Sequence, residues 1–263
     1  MEHVFTMPFC RPGEPRWRAS TRSVLAFDTH CVGKAAAVVL LLMLGLGGLS
    51  RAADVLPYDA TLPAKSRCRV PIAMLRPTQF CVGFWEVDRR AEKIVHKSPR
   101  KLSAYLEEHL AEIVIGPGGL PYLVDGHHIA MVLLKTHLSD SIDAKVRANW
   151  RDLDRAEFWD KMKRYGWLYL YDGQGHGPLD PEKLPAKVNQ MSDDPYRSLA
   201  WAVRKQAGFD KIPASYSEFQ WADFFRKRVP LGTGEEGFQQ AIETARRLSH
   251  SPEAKDLPGY EPE

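Results

Sequence analysis

The sequence predicts an α+β protein with a hairpin-bearing front half and a helical back half. Three observations carry this. Residues 112–126, EIVIGPGGLPYLVDG, are two apolar runs around a Gly-Pro-Gly-Gly turn, the pattern of a hairpin with a loose tip. Residues 98–110 and 193–208 carry helix-start signals, with Ser98 and Asp194 at the cap and Pro99 and Pro195 at the first helical position. The hydrophobic fraction of 44% and seven Trp are enough for a proper core and argue against disorder.

Taken in order, residues 53–66 carry Pro57 and Pro63 and read as an exposed lead-in. Residues 69–75 are a strand candidate stopped by Pro77, and residues 80–97 are mixed, with a helix start in the middle. In residues 98–110, Leu102, Tyr105, Leu106 and Leu110 recur on one helical face. A helix, HHIAMVLLKTHL, follows the hairpin. From 139 onward the pattern is mostly helical, although SDSIDAKVRANW fits either state. Residues 154–166 form a helix that ends at Gly166, and residues 167–180 read as an aromatic strand running into a Gly-rich loop. Residues 215–229 and 235–250 are the last two helices, with Trp201 and Trp221 at core-like spacings. The basic run in FFRKRV reads as the solvated end of the first of these two, near its negative pole.

Residues 1–52 have a different character. Lys34, the apolar block at 35–49, and small residues at Ser50 and Ala52 are the three parts of a secretory signal. The block is shorter than the roughly 20 residues of a comfortable membrane span. The expectation is a periplasmic or secreted protein with no stable span after cleavage. A start at Val32 would make a compact leader. Six of the 36 basic and three of the 33 acidic residues lie in 1–52, which leaves 30 of each and a formal net charge of zero. A protein that grips the DNA backbone usually carries a basic surplus, so DNA binding loses support. Cys10 and Cys31 belong to this segment, while Cys68 and Cys81 either pair or stay free.

The chemistry concentrates at Asp125-Gly126-His127-His128, where an apolar run turns into a helix. Asp-Gly makes a tight turn, and the first amides of a helix lack partners and favour anions. His127 and His128 are placed to donate to phosphate, ligate a metal or shuttle a proton, although neighbouring histidines on a helix point about 100° apart. Asp125 is the candidate metal ligand. The plain alternative has Asp125 as a helix cap and both histidines packed on a sheet. Arg76, Thr78 and Gln79 follow a strand and are further ligand-binding candidates. His176, in the loop YDGQGHGPLD, either closes over the pocket or belongs to a surface turn.

Three blocks, PTQFCVGFWEV (77–87), GPGGLPYLVDGHHIA (116–130) and DDPYRSLAWAVRKQAGFDKIPASYSEFQWADFFRKR (193–228), resemble in the same order the ParB-like nuclease family of the ParB/sulfiredoxin superfamily. The resemblance implies a ParB/sulfiredoxin-like domain over 67–138 with a mostly helical region, 139–263, packed on it. It implies that the strand-to-helix turn binds the phosphates of a nucleotide. It carries Asp125, Gly126, His127 and His128 over as the phosphate turn, and Glu86 as the position of a catalytic carboxylate. One departure is plain: the kinase-like relatives follow the second His with Arg, and here Ile129 stands there, while Lys135 lies two turns on. A bidentate phosphate clamp is missing at that position.

The expected function is an exported ParB-like protein that binds a small phosphate-bearing ligand at this turn, as a nuclease-like protein or phosphate-ester hydrolase. His127, His128 and Glu86 would be its acid/base groups, and a divalent metal ion the cofactor considered. A non-catalytic anion-binding module of the cell envelope is one alternative. A nucleotide-dependent kinase, which requires a cytoplasmic protein, is another.

Overall fold

The computed structural model describes residues 55–262; the leader and the cysteines expected within residues 1–52 lie outside them. The chain runs from β1 (Leu56–Pro57) and β2 (Arg67–Pro71) through β3 (Arg76–Pro77) and β4 (Cys81–Val82) into α1 (Phe84–Val95) and α2 (Pro99–Glu108). The hairpin β5 (Ala111–Gly116) and β6 (Leu120–Asp125) follows, then α3 (His127–Thr136), β7 (Ser141–Asn149) and α4 (Arg155–Arg164). The rest comprises β8 (Ser192–Asp193), α5 (Pro195–Lys205), α6 (Ser217–Arg226) and α7 (Gly234–Ser249).

Six strands form one mixed sheet in the order β1-β2-β7-β5-β6-β3, while β4 and β8 pair in parallel beside it. β7 lies between β2, antiparallel to it, and β5, parallel to it. Its buried residues Ile142, Ala144, Val146 and Ala148 alternate with more exposed ones, the period of two that a strand requires. This corrects the expected boundary at 138/139: the segment that fits either state is an interior strand of the sheet, so the sheet needs residues on both sides of that boundary. Two other expectations change. The candidate strand at 69–75 ends at Pro71 and continues as a 3-10 turn at Ile72–Met74. The aromatic segment after 166 forms no strand; among the described residues it contributes a single bridge, Tyr169 to Gln79.

One face of the sheet buries Ile113, Ile115, Leu123 and Val146 against Val87 and Ile94 of α1 and Ile129 and Leu133 of α3. A second cluster joins Val114 and Tyr122 to Phe158, Trp159 and Met162 of α4. The helical half has its own core, in which α5 packs on α6 and α7 around Trp201, Trp221 and Phe225. α1 touches both α3 and α5 and so couples the sheet to the helices. Cys68 lies in β2 and Cys81 in β4, both buried as free thiols, and burial pushes the Cys68 thiol up to about 11. Among the described residues no helix is long and apolar enough to cross a membrane.

One residue ties the helical half together. Asp194 caps α5 by accepting the amides of Tyr196 and Arg197 at 2.9 and 3.1 Å. The same carboxylate holds the last residue of α6, Arg226, at 2.9 and 3.2 Å. Asp194 is fully buried, so losing it removes a cap and strands a largely buried cation. Asp194→Ala is expected to cost about 3–5 kcal/mol in urea unfolding, and Asp194→Asn, which keeps the cap acceptor, about half of that.

Candidate functional site

β6 ends at Asp125, and Gly126 turns the chain at φ 98° into α3. This is left-handed backbone, and a side chain at Gly126 would also stand 3.1 Å from Ala111, so the turn needs glycine. The Asp125 carboxylate accepts the Gly126 amide at 2.7 Å and remains exposed. No side chain caps α3. The amides of its first turn therefore lack helical partners, as at any helix start.

The histidines that follow face two different segments of the chain. Nε2 of His127 accepts the Thr78 amide at 3.2 Å, and Nε2 of His128 accepts the Gly83 amide at 3.1 Å. His127 is 4 % exposed and also bonds the Leu123 carbonyl, which accepts the Thr78 hydroxyl as well. Together they fasten the 78–83 segment to the start of α3. Burial, with the neighbouring His128, pushes the His127 imidazole down to about 3. Burial and then the charges of Arg197 and Arg90 hold His128 well below its ordinary value. Both rings are neutral at pH 7.

Glu86 stands in the first turn of α1 and is only 1 % exposed. Its carboxylate accepts from Nε of Arg90 at 2.7 Å and from Nη1 of Arg197 at 2.8 Å, and Nε2 of His128 is 3.3 Å away. Gly83 lets α1 begin this close to α5: a side chain there would stand 2.4 Å from the Ser198 hydroxyl. Arg197 continues to Glu218 of α6 at 3.9 Å, and Glu218 to Arg204 at 2.9 Å. Burial pushes Glu218 up, but Arg197 and Arg204 outweigh it and hold the carboxyl below its usual range. The result is a chain of alternating charge, Arg90–Glu86–Arg197–Glu218–Arg204, across three helices.

This chain and the Asp125–His128 turn line one cleft of about 710 Å³. The cleft brings together Glu86, Asp125, Gly126, His127, His128 and Gln79 from the residues predicted as functional. Gln79 is committed, its amide donating to the Cys81 carbonyl at 2.7 Å. Arg76 lies elsewhere and donates to the Ala186 carbonyl at 2.8 Å, which pins the 186 loop. His176 is exposed on a turn whose amides at 174 and 176 bond Asp172, so the surface-turn reading holds there. Lys135 pairs with Asp88 on α1. Among the described residues no three His, Cys, Asp or Glu side chains converge as metal ligands. The sequence reading missed Arg90, Arg197, Arg204 and Glu218. Its available signals were the four-residue spacing of Glu86 and Arg90 and the seven-residue spacing of Arg197 and Arg204, each pair on one helical face.

Comparisons with known proteins agree with this architecture. Residues 68–227 match the family described as "Putative ParB-like nuclease". The chain belongs to this ParB-like family. The match takes in the Asp125–His128 turn, Glu86 and the whole charge chain. The crystal structure of protein Atu1540 from Agrobacterium tumefaciens is similar, with a TM-score of 0.68 and 32% identity over 75% of this chain and 98% of that one. No curated protein matches the chain.

The buried histidines set a pH dependence. Their folded-state affinity for protons is depressed, so the unfolded chain binds more protons below its ordinary imidazole pKa of about 6.5. Stability is therefore full above about pH 6.5 and falls on acidification towards about pH 3 for His127. The His127 ring contributes a loss of about 1.4 kcal/mol per pH unit inside that window, and His128 changes stability in the same direction. Urea unfolding between pH 7 and 5 is expected to show this slope, and His127→Gln, which keeps an acceptor for Thr78, is expected to reduce it by about one ring's share.

Proposed function

We propose that the cleft binds a phosphate-bearing ligand at the first turn of α3, on a scaffold of the ParB/sulfiredoxin type, and that the protein hydrolyses phosphate esters with Glu86 as the base. One observation carries this reading: an uncapped helix start opens into the same cleft as the guanidinium groups of Arg90 and Arg197. Unpaired amides and the helix dipole favour an anion at that point. The guanidinium groups supply forked donors of the kind that clamp phosphate. Arg197, from a distant helix, takes the place of the arginine that the sequence lacks after His128.

The same ion pairs give Glu86 its proposed role. With no ligand, its carboxylate is held by two arginines. A phosphate entering the cleft competes for those guanidinium groups. Glu86 is then released to take the proton of a water attacking phosphorus, while the phosphorus–oxygen bond to the ester's alcohol breaks and the leaving oxygen takes up that proton from Glu86. His127 and His128 anchor the 78–83 segment that leads into α1 and so position Glu86.

A second reading is favoured by the histidines themselves. Both Nε2 atoms accept backbone amides, so neither is free to exchange protons with a ligand. In this reading the cleft binds its anion without chemistry.

Thermal unfolding of the full chain against orthophosphate, nucleotides and phosphosugars, with and without Mg²⁺, tests the binding. A ligand at 100 times its Kd is expected to add about 2.7 kcal/mol. Glu86→Gln removes a competing negative charge, so binding is expected to hold or tighten while hydrolysis of the bound ester is lost. No product from the native protein would leave the binding reading, and no stabilisation by any phosphate would end both.

A further inference from the structure

A second helix start opens into the same cleft. α6 begins at Ser217, after Tyr216 in left-handed backbone at φ 57°, and no side chain caps it. Ser217 is 6 % exposed, and its hydroxyl is buried without a hydrogen-bond partner. Nε of Arg197 is likewise buried without a partner, in a residue 7 % exposed whose Nη1 is already committed to Glu86. Buried polar atoms are nearly always paired. Two orphans in the wall of one cleft mark a place where the partner arrives with a ligand.

The donor chemistry identifies that partner. The cleft lining as a whole holds five cations and five carboxylates, so the unpaired donors, not a net charge, select the ligand. Glu218 is occupied by Arg204 at 2.9 Å and Arg197 at 3.9 Å, and Ser217 remains without a partner. The Ser217 hydroxyl and the Arg197 Nε–H are donors, and the Ser217 amide opens α6 without a helical partner. Each of these favours an anion.

We propose that the start of α6, with Ser217 and Arg197 as donors, is a second anion subsite, and that the ligand of this cleft carries two phosphoryl groups. This rests on the reading of the α3 turn as a phosphate site. Two sources share that chemistry: a diphosphate, with its groups adjacent, and neighbouring phosphates separated by a sugar, as in a nucleic-acid strand.

Calorimetric titration of the full chain with orthophosphate, pyrophosphate and thymidine 3′,5′-bisphosphate tests this, beside Ser217→Ala. At least one two-phosphate probe is expected to bind about tenfold tighter than orthophosphate, and which one does so separates the two sources. Ser217→Ala is expected to lose about that factor for the tighter probe and to leave orthophosphate within about twofold. Because the hydroxyl has no partner inside the protein, the variant's Tm is expected to equal or exceed the native value. Two-phosphate probes that bind no better than orthophosphate would overturn the second subsite and leave the α3 site standing. So would a Ser217→Ala variant that melts earlier with unchanged affinities, or one that weakens all three probes equally. An absence of binding by any probe would overturn both the subsite and the reading on which it rests.

Discussion

A carboxylate with 1 % exposure has to find positive charge within hydrogen-bond reach, and meeting that need at Glu86 determines how the helices around the cleft assemble. Arg90 comes from the same helix, one turn on, and Arg197 comes from α5, more than a hundred residues later. The approach of α5 is possible only because Gly83 offers no side chain to the Ser198 hydroxyl. Once Arg197 is fixed it attracts Glu218, Glu218 attracts Arg204, and the start of α6 is drawn to the wall of the cleft. The sheet half and the helical half are thus joined through charge as well as through the apolar contacts of α1.

The two histidines serve the same assembly from the other side. Each accepts one backbone amide of the 78–83 segment, the stretch that leads into α1 and therefore sets the height of Glu86. Their burial as neutral rings makes them acceptors, since a protonated imidazole has no lone pair to offer. The Asp-Gly-His-His sequence is thus a structural joint as well as the edge of a binding cleft. Asp125 and Gly126 face the opening, and the imidazoles hold the wall behind it. This division answers why two histidines stand side by side on a helix: they point to different segments of the same loop.

Much of the fold was legible because its signals are local. Ser98-Pro99 and Asp194-Pro195 marked helix starts that the structure places at Pro99 and Pro195, and Gly-Pro-Gly-Gly marked the turn between β5 and β6. The family resemblance followed from three ordered blocks and is borne out by the match over residues 68–227. The strand β7 was harder to read. Its alternation, Ile142, Ala144, Val146 and Ala148, is carried partly by alanines, whose small apolar signal suits a helix equally well. The aromatic run after 166 has β-forming residues but pairs at one point only, because its rings pack against α6 through Phe219 instead of extending a ladder.

The sequence by itself determined the sharp turn at Asp125-Gly126 and the helix start behind it. These depend on neighbours within a few residues. Only the tertiary structure decided that Glu86 is buried, that Arg197 and Arg204 reach the cleft from another part of the chain, that Arg76 does not, and that Ser217 is left without a partner. Those outcomes depend on which helices meet, and the energy of a charge depends on distance and solvent exposure, neither of which a linear spacing contains. Ion pairs across 111 residues, such as Arg197 with Glu86, leave no periodic trace in the sequence, whereas a helix start or a glycine turn does.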